Sequence, residues 1–149
     1  MELLRRDHAE AKALLAEIVA TPATAARFRT QLIERLATDL EVHAEIEHEL
    51  FYPFLRALDG AERRVERAEH EHRQIAELLA EILGMDPEDE ELPQRLAVLQ
   101  SAVVDHTAAE EREMFRQTQD LAPADLEQLS KELAHRKREL QHRGSQRAA

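Results

Sequence analysis

Apolar residues recur in alternating three- and four-residue steps along most of the chain. One series runs Leu4, Ala11, Leu15 and Ile18, and a second runs Ile33, Leu36, Leu40, Leu50, Phe54 and Leu58. A third comprises Val65, Ala68, Ile75, Leu79 and Ile82, and a fourth Leu92, Leu96, Leu99 and Val103. This is the spacing of an amphipathic helix that buries one stripe. Between the series stand breakers: Thr21-Pro22, Asp59-Gly60, Gly84 as a C-cap, an acidic loop from Asp86 to Pro93, and Pro123. The pattern predicts helices over about 2–20, 24–58, 61–83 and 93–120, with a fifth opening at Pro123. Pro53 is expected to kink the second helix or end its regular part.

Four long amphipathic helices with short links predict an all-α fold. The expected architecture is an antiparallel up-down-up-down four-helix bundle over residues 1–121, with an additional C-terminal helix in 122–149. That fifth helix has its own stripe, Leu126, Leu129, Leu133 and Leu140, and is expected to pack outside the bundle. Charge and glycine rise after Arg136, so a frayed, solvated basic tail is expected there.

Extending each seam by the same steps lands on polar residues. His8 lies between Leu4 and Ala11, His43 and Glu47 between Leu40 and Leu50, His72 between Ala68 and Ile75, and His106 and Glu110 beyond Val103. A buried imidazole or carboxylate without a partner costs several kcal/mol. Six of them together could exceed the roughly 5–15 kcal/mol stability of an ordinary domain. A pair of metal ions offsets that cost. Imidazole nitrogen and carboxylate oxygen suit iron, manganese or zinc, and His and Glu four residues apart lie one above the other on a helix face.

The chain also looks duplicated. HAEAKALLAEI from His8 and HRQIAELLAEI from His72 share LLAEI at the same offset. HAEIEHELFYP from His43 and HTAAEEREMFR from His106 share a Glu four residues on and a Phe eight or nine on. The two offsets are 64 and 63 residues, as expected of a repeated helical hairpin giving one His and one His-x-x-x-Glu per half. By the same register His70 points away from the seam, and His48 falls on the polar face with a supporting or surface place. His135 and His142 are expected at the surface. Glu111 and Glu113 flank Glu110, and a one-residue slip in register would promote either. Tyr52, the one tyrosine, is expected at the bundle edge, partly buried.

Composition narrows the chemistry. The 149 residues are 43% hydrophobic and 3% aromatic with 3 Gly, so the core must be built mainly of Leu, Ile, Val and Ala. No cysteine is present, which excludes thiolate zinc sites, iron–sulfur ligation and thiol catalysis. A net charge of −11 argues against nucleic acid as a partner. No stretch approaches the roughly 20 apolar residues of a membrane span. MELLRRDHAE carries acids and no long apolar run, so a signal peptide is not expected and a cytoplasmic location is.

Asp7-His8, His43-x-x-x-Glu47 followed by FYP, Glu71-His72, and His106-x-x-x-Glu110 followed by MF together resemble the hemerythrin-like, HHE cation-binding family over about residues 1–120. The resemblance implies a non-haem di-iron centre bridged by carboxylates and an oxo, hydroxo or water ligand. Metal positions would be His8, His43, Glu47, His72, His106 and Glu110, with Glu47 and Glu110 bridging. The oxygen carriers of that family place two histidines four apart on the third helix and an aspartate five after the fourth-helix histidine. Here Ala68 and Ala76 flank His72 at four residues, and Glu111 stands at the aspartate position. The implied ligand is therefore a diatomic or peroxide that binds or reacts, or the protein senses or stores iron; reversible carriage is not implied. Two other readings compete. A ferritin-like carboxylate oxidase would use Glu45-x-x-His48 and Glu69-x-x-His72. A metal-free interaction module would use the acidic loop and the fifth helix.

Overall fold

The computed structural model describes residues 1–58 and 60–147, and their side chains except those of 120 and 145–147. The chain is all-helical. Helix α1 spans Glu2–Ala20 and α2 spans Ala26–Ile46. A π-helical turn, Glu47–Phe51, leads from α2 directly into α3, Tyr52–Arg56. Helix α4 covers Glu62–Gly84, α5 covers Leu92–Gln117 and α6 covers Pro123–Arg147. Taken as one rod, α2, the π turn and α3 pack with α1, α4 and α5 as the four-helix bundle that the seams predict. Among the described residues no helix is long and apolar enough to cross a membrane.

Gly60 reverses the chain between α3 and α4 with φ 75°, a conformation that costs a residue without Cβ little. Asp59, the other half of the expected stop signal, lies outside the described residues. Gly84 does not form a left-handed cap. It is the last helical residue, and extended Met85 ends α4.

The π turn corrects the second seam. Proline lacks an N–H and its ring clashes with the carbonyl four residues back, so Pro53 disturbs the ladder at Glu49. The rod absorbs this by inserting one residue rather than by ending, and the Tyr52 N–H bonds the Glu47 carbonyl. The inserted residue advances the seam by one. Phe51 and Leu55 are fully buried, while the expected Leu50 and Phe54 are only partly so.

The apolar side chains form two cores rather than one. One gathers residues such as Leu15, Ile33, Leu79 and Leu96. The other gathers Leu4, Ile46, Phe51, Val65, Phe115, Leu129 and Leu133. In every rod the seam histidine lies between the two sets, so a polar layer crosses the bundle.

The last helix differs from expectation. It continues to Arg147 across the segment expected to fray, while Ala148 and Ala149 lie outside the described residues. Leu129 and Leu133 sit inside the second core. Arg136 donates to Glu49 at 2.8 Å, and Lys137 is 2.6 Å from Asp7. Leu133 is 0% exposed, so Leu133→Ala is expected to lower unfolding free energy by about 2–5 kcal/mol in chemical denaturation, where a helix lying outside the core would give little change.

Candidate metal centre

The six seam residues meet in one buried cluster. His8, His43, Glu47 and Glu110 form one group and Glu47, His72 and His106 another, with donor atoms in each group within 4.8 Å of one another. All six are at most 9% exposed. Glu47 belongs to both groups. Its Oε1 is 3.2 Å from His43 Nε2, and its Oε2 is 3.3 Å from His72 Nε2. Glu110 Oε2 is 3.2 Å from His8 Nε2 and 3.8 Å from His106 Nε2.

Each imidazole turns Nε2 inward and is held through Nδ1 by a residue of a different rod. His8 Nδ1 meets Glu111 at 2.9 Å, and His43 Nδ1 meets Asp7 at 3.5 Å. His106 Nδ1 meets Glu71 at 2.9 Å, and His72 Nδ1 meets His48 Nε2 at 3.1 Å. These supports follow the internal duplication. Asp7 and Glu71 each precede a seam histidine, and His48 and Glu111 each follow a seam glutamate.

The donor set fits a cation on two grounds. An ionised carboxylate only accepts, so three of the four histidines carry a proton on Nδ1, and each would present its Nε2 lone pair to a bound cation. Those lone pairs converge: His8 and His43 Nε2 are 3.1 Å apart, and His72 and His106 Nε2 are 2.9 Å apart. In addition, Glu47 Oε1 and Glu110 Oε2 are buried without a hydrogen-bond donor. A metal ion at each position would satisfy both.

Without metal the cluster must hold protons instead. Burial pulls the His43 imidazolium down, but Glu47, Asp7 and Glu110 outweigh it and push it up to about 10. His106 is also raised against burial, by Glu71, Glu110 and Glu47. Burial would raise Glu47, yet His43 and His72 hold it well below the ordinary carboxylate range. Asp7 is lowered against burial by His43 and Lys137.

Tyr52 is the largest departure from the sequence reading. It is fully buried, not at the edge. Its hydroxyl donates to Glu110 Oε1 at 2.9 Å, with Glu47 Oε2 at 3.2 Å and His72 Nε2 at 3.5 Å. The π turn brings this about, because its extra residue rotates the position five after Glu47 back onto the inner face. Pro53 is the signal in the sequence. Burial and the two carboxylates raise the phenol well above its ordinary value, so it keeps its proton in the metal-free state.

The remaining candidates fall as follows. His70, His135 and His142 are exposed. His48 is exposed on one side but supports His72. Glu111 supports His8 rather than replacing Glu110, and Glu113 pairs with Arg67 at 2.6 Å. Glu45 is exposed and 3.8 Å from Arg136, so the donor set is four His and two Glu, the reverse of the ferritin-like count.

Comparison with known proteins agrees with this geometry. Residues 1–118 match the family model described as Hemerythrin HHE cation binding domain. The uncharacterised protein Rv2633c of Mycobacterium tuberculosis is 28% identical, over 97% of this chain and 87% of its own. A protein named DNA nickase from Nostoc is 28% identical over 95% of this chain, which spans 40% of that larger protein. The crystal structure of a hemerythrin HHE cation-binding domain-containing protein from Mycobacterium kansasii superposes with a TM-score of 0.83 at 27% identity. It covers 97% of this chain and 86% of its own.

Two outcomes follow from the geometry. A raised His43 stabilises the metal-free fold fully below its ordinary value of 6.5, and this contribution fades as pH climbs toward about 10. Lowered Glu47 and Asp7 contribute above their ordinary values, 4.5 and 3.8, and that contribution is lost on acidification. Chelator-treated protein is therefore expected to show its highest Tm near neutrality, and its Tm advantage over His43→Gln should shrink between pH 7 and about 10. Second, Lys137→Met removes the cation beside Asp7 and loosens His43. Metal affinity should fall about 10–100-fold in competition titrations, with helicity by circular dichroism unchanged.

Proposed function

The chain belongs to the hemerythrin HHE cation-binding domain family, and on that basis we propose that its buried centre holds two iron ions and works on a small oxidant, whether O2, peroxide or nitric oxide. The observation that carries this reading is Glu47, a buried carboxylate with one oxygen toward each pair of imidazoles. That is the disposition a bridging ligand needs. Glu110 spans His8 and His106 in the same way, at a longer distance on the second. His8 and His43 would hold one ion, His72 and His106 the other.

Bound iron would supply one-electron redox at two adjacent positions and a place for an oxygen-bearing molecule. The chain's own residues do the rest. Asp7, His48, Glu71 and Glu111 fix each ring with its inner nitrogen free. Glu47 and Glu110 contribute the negative charge that offsets two cations. Tyr52 holds a proton on its hydroxyl within hydrogen-bond distance of both carboxylates, where a reduced oxygen species would need one. The two apolar cores keep bulk water from either end.

Reaction rather than reversible carriage is favoured by α4. Ala68 and Ala76 stand where a second histidine would complete a carrier's set, which leaves fewer protein donors on the His72 side. Manganese or zinc would accept the same donors. Iron sensing or storage would use the same centre, and differs in consuming no oxidant beyond that needed to oxidise the metal.

Purified protein reconstituted without oxygen is expected to take up two equivalents of iron, by elemental analysis, and to gain near-ultraviolet absorption on oxidation. His8→Ala and Glu110→Ala should each reduce the uptake. Fewer than two equivalents, with neither substitution changing anything, would rule the reading out. Chelator should lower Tm, whereas a metal-free interaction module would melt identically with and without it.

A further inference from the structure

Beside the centre, between α2 and α4, lies a cavity of about 460 Å³. Its walls are mostly apolar: Leu40 and Ala44 from α2, and Ala76, Leu79, Ala80 and Leu83 from α4. Its inner end reaches all four inward-facing imidazoles, His8, His43, His72 and His106, with Asp7 beside them. Ala76, Ala80 and Leu83 are exposed, so the cavity opens to the surface along α4.

The internal duplication supplies a built-in comparison. An offset of 64 makes Ala76 the counterpart of Lys12, and an offset of 63 makes His48 the counterpart of Glu111. On the α1–α5 side Lys12 Nζ is 4.0 Å from Glu111 and Arg5 Nη1 is 3.4 Å from it. Three charged side chains thus stand over that half of the centre. On the α2–α4 side an alanine replaces the lysine, and the charged residues Glu41, Glu45 and Arg73 line the opening without replacing it over the imidazoles. The asymmetry extends inward, where Phe115 stacks on His8 and Tyr52 lies against His72. One half of the duplicated hairpin is closed and the other is open and carries the phenol.

The size of the opening exceeds what a diatomic or hydrogen peroxide requires. A water molecule takes about 30 Å³ of liquid, while cavities of about 300–1,000 Å³ enclose organic ligands. An apolar cavity of this kind is poorly solvated by water and gains by taking an apolar occupant. At the rim Glu41 and Glu45 outnumber Arg73, so the entrance is net negative and disfavours an anionic chain end such as a carboxylate.

We propose that the α2–α4 cavity binds an uncharged alkyl chain carrying one oxygen-bearing end, with that end directed to the imidazoles. This rests on the metal-centre reading and gives it a substrate class: a medium-chain aliphatic molecule rather than a diatomic alone. Ala44, Ala76 and Ala80 are the residues that set what fits, because any larger side chain there fills the slot.

The test uses the full chain, both metal-free and iron-loaded, titrated calorimetrically with 1-butanol through 1-decanol. One saturable site is expected in both forms, with Kd falling about fourfold per added methylene until the cavity is full. Ala76→Leu and Ala80→Leu, each checked for native helicity, should weaken 1-octanol about tenfold or more. Ala16→Leu, the counterpart of Ala80 on the closed side, should leave it unchanged. In the iron-loaded protein 1-octanol should shift the absorption of the centre. A Kd independent of chain length, retention of binding in both slot variants, equal weakening by Ala16→Leu, or an unshifted spectrum in protein that binds 1-octanol would overturn the proposal. Iron content measured on the same samples separates the two readings. Two equivalents with a flat alcohol series removes the cavity proposal alone. Fewer than two, with a normal series in the metal-free protein, removes the iron reading and leaves the cavity.

Discussion

Four imidazole nitrogens and two carboxylates turned toward one another in a buried layer govern how the rest of the molecule is built. Such a layer is repulsive by itself and is stable only with cations at its centre, whether metal ions or protons. Every other arrangement near it serves to hold it. The seam of each of the four rods gives up apolar positions to supply it, which divides the hydrophobic interior into two cores. Each histidine is then fixed from outside by a side chain on a different rod. Helix order and centre geometry are therefore one property. A bundle with the helices exchanged would leave the Nδ1 atoms without partners.

Within that frame the two halves of a duplicated hairpin have diverged. Asp7 and Glu71 keep equivalent roles toward His43 and His106. The second pair of supports does not match: Glu111 holds His8, while His48 holds His72. Around the first stand Lys12, Arg5 and Phe115. Around the second stand Tyr52, Ala76 and an apolar opening. A centre that is nearly symmetric in its donors is thus asymmetric in its surroundings, and surroundings decide which molecules reach it and where a proton is available.

The last helix joins the same network. Leu129 and Leu133 complete the second core, and Lys137 reaches across to Asp7, which in turn supports His43. A segment beyond the residues matched by the family model is therefore coupled to the centre through a single buried carboxylate. Burying Asp7 without that lysine would leave its charge facing only a shared imidazole proton.

The helices, their apolar seams and the six donor-type residues were legible in the amino-acid order, because a helix period of 3.6 reveals burial wherever a polar residue occupies a seam position. That order also separated His72 from His70 on register alone. Tertiary structure decided what periodicity does not encode. The π turn forced by Pro53 shifted the seam from Leu50 and Phe54 to Phe51 and Leu55 and carried Tyr52 from the expected edge into the centre. That shift is a local insertion, and a regular period assumes there is none. The supports at Asp7, His48, Glu71 and Glu111, the pairing of Lys137 with Asp7 and the opening between α2 and α4 depend on which rods are neighbours and how far apart they stand. Those are properties of distance between segments remote in sequence, fixed only when the rods pack.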